Sequence, residues 1–500
     1  MMKYAVAVGL LVVLAGAVRA EEAPLSLSLK DAVKMAVEKN LDVQAELYNP
    51  ASAEADIHKY LGIYDPLLNL LANYQDLVNQ TANRVTTGGA QITRQRTTEF
   101  NAALSKLMPS GGTAGLAFDN SWNHNNFGIG NLNDYFQSSV ALTFTQPLLK
   151  NFGREATELN ILVAQYGKEG SLEQYKSKML SIISQVRTQY FQLYSARENL
   201  RVKKTSLDLA QTILTNTRAQ VKAGVLPAFE VLNAEFGVAT QQKNLIDAER
   251  ALKDQVDALR LLLQMHEVTD IVPTDTPMRE NLEVNEAESV KNALAGRPDL
   301  QQQRVALRSN ELQARVAKNQ TLPQLDFVGG VTLTGLDSHY NRDLEYVGSG
   351  QYPVWNAGLQ FTYPIGNEAA DNAYIKSKLL VDQTKTQVRS LEESIAKDVR
   401  TAVRAVFSGY KQLDVTSRGR AYAEQVLDAY IKKQKVGLAT TKDVLDVLNN
   451  LVTAEGNQIQ AVVDYNNAIT NLWTTTGELL DREGIKVSAK EADDLYRKNR

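Results

Sequence analysis

The chain has 500 residues, 54 lysines and arginines against 57 aspartates and glutamates, a net charge of −3, and no cysteine. This balance gives no basic footprint for nucleic acid, and the missing cysteine excludes disulfides, thiolate metal sites and lipidation of an N-terminal cysteine. At about 100–200 residues per domain the length would suit several domains, but no Pro-, Gly- and Ser-rich linker divides the chain, so one extended architecture is expected.

The N-terminus is typical of a secretory signal peptide. Lys3 precedes an apolar run from Tyr4 to Val18, and small residues flank Arg19 as they do at a cleavage site. Such a run is too short for a spanning helix, and a buried N-terminal helix is the less favoured alternative. We predict a signal peptide over residues 1–20 and a mature chain from Glu21. No other run reaches about 18 apolar residues, so entry into a membrane would require β-strands.

An internal repeat organises the rest of the chain. Three pairs of similar segments occur in the same order in both halves. They are Asp31–Asp42 with Glu288–Asp299, Leu142–Pro147 with Leu359–Pro364, and Lys222–Gly224 with Lys435–Gly437. A period of roughly 200–250 residues is far longer than a solenoid unit. We predict a first repeat over 21–272, a second over 273–482 and a polar C-terminal tail over 483–500.

Each repeat is expected to contain a short helix, a second helix, strands, a very long helix, a glycine turn and a return helix. Second helices are predicted at about Leu41–Gly62 and Asp299–Gln320. Alternating apolar and polar residues predict strands, in the first half at Leu67–Gln75, Thr97–Leu107, Thr113–Trp122 and Phe136–Gln146, and in the second from Leu325 to Leu333 and from Trp355 to Tyr363. Strands of about 10 residues with aromatic ends suit a membrane barrel. A soluble sheet packed on a core has the same periodicity.

The long helix of the first half carries the clearest pattern. Apolar residues recur at every seventh position from Leu172 to Val221. A helix over Arg154–Ala223 would be on the order of 100 Å long at about 1.5 Å per residue, and a sustained 3.5-residue period requires packing against another helix. Gly224 is expected at the position just past the helix end, and Gly437 is its counterpart.

The signal peptide, the helix opening at Leu27, the Thr-Gln-Pro-Leu strand end at 145–148, the paired glycine turns and the segment Gly437–Asp446 resemble the TolC family of outer-membrane efflux proteins. The resemblance covers about residues 25–482. It implies a mainly α fold with a membrane β portion, in which long coiled-coil helices form a periplasmic α-barrel and strands contribute to a shared trimeric outer-membrane β-barrel. The family prototype has two strands where we predict four between Pro66 and Pro147.

The same resemblance implies the function. It is that of a passive exit duct of a tripartite efflux or type I secretion system, in the outer membrane and extending into the periplasm. The implied partners are two further copies in a homotrimer, a periplasmic adaptor protein, an inner-membrane pump and outer-membrane lipid. The alternative is an exported coiled-coil structural or surface protein without a channel, since heptads and an export signal fit it equally well.

In this family the second glycine turn places acidic residues at the narrowest part of the duct. The matching residues are Asp443 and Asp446, which are spaced to share one helix face, and Glu230 has the corresponding place in the first turn. The alternative is that carboxylates in a first helical turn complement the helix dipole by about 0.3–1 kcal/mol and need no pore. The prototype's latch positions are occupied by Ala439 and Gln434, so the latch is not expected in its known form.

Adaptor docking is implied near the same tip. The residues assigned to docking are Gly224, Val231, Leu232, Gly437, Val444 and Leu445. The alternative is that these segments are only tight turns, since glycine alone would explain their composition.

No enzyme is expected. The histidines, His58, His124, His266 and His339, are isolated from one another. No His-Glu-x-x-His motif and no phosphate-binding loop occurs, so neither a metal nor a cofactor is predicted.

Overall fold

The computed structural model of the chain describes residues 24–80, 92–126, 132–266 and 270–500. The predicted signal peptide lies outside these ranges. The first half has the following elements: β1 (Leu25–Leu27), α1 (Leu29–Lys39), α2 (Leu41–Leu61), β2 (Leu67–Gln80), β3 (Ile92–Leu107), β4 (Thr113–Asn125), β5 (Asp134–Pro147), α3 (Arg154–Thr157), α4 (Leu159–Lys222) and α5 (Phe229–Leu263). The second half has β6 (Ile271–Pro273), α6 (Glu286–Gly296), α7 (Pro298–Gln320), β7 (Gln324–Asp337), α8 (Tyr340–Ser349), β8 (Pro353–Thr362), α9 (Glu368–Lys435), α10 (Thr441–Thr476), α11 (Leu479–Arg482) and α12 (Lys490–Asn499).

The chain divides into two compact units. Unit 1 comprises Lys178–Gly296, Ile395–Lys486 and the described residues up to Ala45. Unit 2 comprises Glu46–Ser177, Arg297–Ser394 and Val487–Arg500. Within the described ranges, no helix has the length and apolar character needed to cross a membrane.

Unit 2 contains a six-stranded sheet in the order β2-β3-β4-β5-β7-β8. All neighbouring strands are antiparallel. The four strands predicted for the first half are therefore confirmed, and the extra pair β3 and β4 lies inside the sheet between β2 and β5.

The register gives this sheet two different faces. Its apolar face includes a row of paired residues that crosses all six strands. The row is Leu68, Leu104, Leu116, Leu142, Val331 and Trp355. The polar face of the central strands carries small or polar residues, namely Glu99, Asn101, Ala117, Asp119, Ser121, Gln137, Ser139, Ala141, Thr332 and Thr334. Alternation along each strand thus separates two environments.

The helix α8, which the sequence did not predict, covers a polar patch on the apolar face. Asp343 is fully buried, and it accepts hydrogen bonds from the backbone N–H of Ser138 at 3.1 Å and from the Ser138 hydroxyl. Asn120 donates to the Tyr340 hydroxyl at 3.0 Å. A Cβ at Gly335 would lie 2.1 Å from the Asp343 carbonyl oxygen, so only glycine lets α8 approach β7 this closely.

The helices bear on three predictions. The second helices are confirmed as α2 and α7. The predicted helix Arg154–Ala223 is divided into α3 and α4 at Glu158, whose buried carboxylate accepts hydrogen bonds from Tyr64 at 2.9 Å and Arg154 at 2.6 Å. Part of the predicted polar tail forms α12, in which Ala492 is fully buried and Tyr496 stacks on His58 with ring centroids 5.1 Å apart.

The residues of the α4 heptad stripe are buried only as far as Leu193. Beyond that point Leu200, Leu207 and Leu214 are half-buried. The buried stripe moves to Val202, Ser206, Ala210, Ile213 and Thr217. A helix with 3.6 residues per turn drifts away from a strict seven-residue repeat, which accounts for the change of face.

Candidate functional site

The long helices α4 and α9 end in the same backbone geometry. Gly224 follows α4 with φ +76° and Gly437 follows α9 with φ +78°. The next residue's N–H reaches back to a carbonyl in the last helical turn, at 3.0 Å for Val225 and 2.9 Å for Leu438. This pattern confirms the predicted position of both glycines just past the helix end, where a left-handed conformation favours a residue without Cβ.

The second turn starts α10 with a capping box. The Thr440 hydroxyl accepts the Asp443 N–H at 3.1 Å, and the Asp443 carboxylate accepts the Thr440 N–H at 2.8 Å. The Thr440 hydroxyl also donates to the Asp443 carboxylate at 2.7 Å, and this hydrogen bond, followed by that from the Thr440 N–H, lowers the pKa of Asp443. Asp443 therefore caps the start of α10, a local role that the sequence did not predict, and it is also exposed to solvent.

Asp446 lies on the same face of α10 and is also exposed. Residues three apart are neighbours on a helix surface. The second turn therefore presents two neighbouring acidic groups to solvent.

Glu230 does not join them. Its side chain is 3% exposed, and its carboxylate accepts the backbone N–H of Thr441, in the second turn, at 3.1 Å. The predicted gate residues are thus separated, with Asp443 and Asp446 on the surface and Glu230 in the interior. Glu230 satisfies one of the free N–H groups at the start of α10.

Glu230 is part of a buried polar group that we call the tip cluster. Its members come from four helices or helix ends, and they are Thr217, Glu230, Gln434 and Thr441. Gln434 donates to the Thr441 hydroxyl at 3.2 Å, and the hydroxyls of Thr217 and Thr441 are 3.4 Å apart. Gln434, at a position of the prototype's latch, therefore contacts its own turn. Sequence reasoning missed this cluster, although Thr217 and Gln434 are polar residues at positions that face a helix neighbour.

The predicted docking residues also separate into two groups. Val444 and Leu445 are 0% and 8% exposed and belong to the apolar core of the tip, so they do not form a surface. A Cβ on Gly237 would lie 2.7 Å from Leu445, which shows how closely α5 and α10 pack. Val231 is half-buried, while Gly224, Gly437 and Leu232 are exposed.

Six apolar side chains form an exposed patch around the turns, with 57% to 77% of their surface accessible. This turn patch consists of Val225, Phe229, Leu232, Phe236, Val436 and Leu438. Exposed apolar residues grouped in this way are typical of an interaction surface.

Comparisons with known proteins place the chain among proteins of one kind. The family model described as "Outer membrane efflux protein" matches residues 33–263 and 289–478. The outer membrane efflux protein BepC of Brucella suis is 22% identical over 364 residues, which are 72% of this chain and 76% of that protein. The pyoverdine export outer membrane protein OpmQ of Pseudomonas aeruginosa is 23% identical over 317 residues, 61% of this chain and 64% of that protein, which is less than two thirds of its length.

A solved structure has the same fold. The outer membrane channel CmeC of Campylobacter jejuni superposes with a TM-score of 0.65 at 16% identity, covering 94% of this chain and 89% of that one. Similarity at this level of identity shows the architecture and leaves the roles of individual residues to the chain's own geometry.

Proposed function

Because this chain belongs to the outer membrane efflux protein family, we propose that it assembles as a homotrimer and acts with a periplasmic adaptor protein and an inner-membrane pump. The resemblance noted from the sequence is confirmed by the family model. The protein is an outer-membrane exit duct of an efflux system, a passive channel that extends into the periplasm, and not an enzyme. The alternative of a structural protein without a channel is set aside with the family assignment.

The exposed apolar face of the sheet is the observation that most strongly supports this function. Every residue of its cross-sheet row is between 44% and 75% exposed in the single chain. Exposure of such an apolar surface to water is unfavourable in free energy, whereas contact with the hydrocarbon core of a membrane is not. Outer-membrane lipid is therefore the partner that this face fits.

The homotrimer is supported by surfaces that one copy leaves open. The half-buried leucines of α4, Leu200, Leu207 and Leu214, keep the seven-residue spacing of a helix seam while the chain's own core takes the neighbouring face. A second copy packed along α4 would complete that seam.

We assign the gate to the second turn. In a trimer Asp443 and Asp446 would form two rings of three carboxylates, which attract cations and repel anions. Glu230 acts as a positioning residue, because it holds the start of the helix that carries them.

The turn patch is our proposed docking surface for the adaptor protein. Leu232 and Leu438, 67% and 77% exposed, lie on it. Val444 and Leu445 contribute from beneath, because they support the backbone of the second turn. Apolar side chains at the centre of a docking surface typically supply most of its affinity.

The gate assignment is tested by ion selectivity. Asp443→Asn with Asp446→Asn should move the reversal potential of trimers in planar bilayers towards that of an unselective pore. Glu235→Gln on α5 is the matched control. It removes an exposed carboxylate that is paired with Arg218 of α4, and it should leave selectivity unchanged. Unaltered selectivity in the double variant would remove the gate from this turn.

A further inference from the structure

The extra hairpin of β3 and β4 is a full part of the sheet. Every residue of β2 pairs with β3, and β4 pairs with β5 from Thr113 to His124. The hairpin therefore separates β2 from β5 along their whole paired length. It does not project from the edge of a smaller sheet.

The two faces of the sheet continue across this hairpin. Leu104 and Leu116 lie in the apolar row between Leu68 and Leu142, and they are 44% and 49% exposed. On the other side Glu99 pairs with Ser121. A hairpin that projected into water would not need one apolar and one polar face, whereas strands of a membrane barrel do.

Within the described residues, the sheet ends in two edges that have no partner strand. Both edge strands, β2 and β8, are exposed at every residue in the single chain, unlike the strands between them. Successive strands alternate in direction, so β8 runs antiparallel to β2. Unpaired backbone N–H and C=O groups are not tolerated in lipid, so each edge needs a partner strand. A second copy of the chain supplies an edge with the right direction.

We propose that three copies close one 18-stranded barrel, with β2 of each copy paired to β8 of the next, six strands coming from each copy. This rests on the homotrimer of the proposed function. With strands about 4.8 Å apart and tilted by about 40°, the backbone diameter is about 36 Å, against about 24 Å for the 12 strands that three copies would give without the hairpin. A barrel of this size encloses an open aqueous channel. The size limit on cargo then lies at the periplasmic tip and not in the membrane.

Paired cysteines test the strand order, because the chain has no cysteine of its own. Asn73 and Glu99 are register partners on the polar face, and their side chains are hydrogen-bonded at 3.3 Å. Asn73→Cys with Glu99→Cys should therefore form a disulfide within one chain in isolated outer membranes. Asn73→Cys with Gln137→Cys or Ser139→Cys should not, because Cα atoms more than about 7 Å apart cannot be bridged. The opposite result would place β2 beside β5 and overturn the 18-stranded barrel.

A second set of variants tests the contact between copies. Asn73→Cys combined in turn with Asn356→Cys, Gly358→Cys and Gln360→Cys on the polar face of β8 should give crosslinked dimers and trimers at one register. Trimers without any such crosslink would overturn the edge pairing and leave the proposed function standing. Protein that remains monomeric in the membrane would contradict the homotrimer itself. The single-cysteine variants, which cannot link two different strands, are the controls.

Discussion

The two helix turns end the long helices with the same glycine geometry and begin the return helices with different ones. At the first turn Ala228, which precedes α5, has helical φ and ψ angles of −60° and −27° and no side-chain cap. At the second turn Thr440 is extended, with φ −83° and ψ 163°, and forms a capping box with Asp443. The acidic residue of the first turn instead caps the second helix from inside the core. A duplicated backbone has therefore kept its glycines, while the exposed carboxylates of the proposed gate come from one turn only.

The largest effect is expected from breaking the link between the turns. Glu230→Ala would leave the buried Thr441 N–H without its acceptor, which costs about 1–3 kcal/mol. We expect a lower unfolding temperature and faster amide hydrogen exchange at the start of α10. Glu235→Ala is the control on the same helix, since its exposed ion pair with Arg218 contributes about 0–1 kcal/mol. If both variants lowered the unfolding temperature equally, the buried contact would contribute no more stability than the exposed ion pair.

A smaller change in stability is expected from removing the cap of the second turn or adding one to the first. Thr440→Ala removes the capping hydroxyl and should destabilise the protein by about 1 kcal/mol. Ala228→Thr should bring no gain, because the helical backbone at that position does not have the extended conformation of a capping residue. Denaturant or thermal unfolding of both variants measures the difference. A stabilised Ala228→Thr variant would mean that the turns are more alike than their backbone angles indicate.

The smallest expected effect is the dependence of stability on pH through Asp443 of the second turn. The hydrogen bonds from Thr440 hold the pKa of Asp443 below its usual 3.8. A depressed pKa means that the carboxylate stabilises the folded state above pH 3.8 and loses this contribution as the pH falls through the lower folded-state value. The difference in unfolding temperature between the natural protein and Asp443→Asn should therefore stay constant from pH 7 to pH 5 and disappear only in stronger acid. A difference that fades between pH 7 and pH 5 would contradict the capping interaction.

Local signals made much of this architecture predictable. Gly224 and Gly437 predict the turns because a left-handed backbone conformation favours glycine. The alternating residues of β3 and β4 predict strands because side chains alternate between faces.

Long-range packing was not predictable from these signals. Glu230 and Thr441 are 211 residues apart, so no local pattern indicates their contact. The face of α4 that is buried beyond Leu193 depends on the neighbouring helices, and the heptad count alone assigned it to the wrong stripe. The helix α8 depends on a single close approach at Gly335.

The claim that the second turn lines a constriction is tested most directly by a cysteine at Asp446, in a chain that has no other thiol. Three such thiols around the axis of a trimer would bind Cd²⁺ or react with a cationic thiol reagent. We predict that either treatment blocks the single-channel current of Asp446→Cys trimers in bilayers and leaves that of Glu235→Cys trimers unchanged. A current through Asp446→Cys trimers that is unaffected by both reagents would contradict the account.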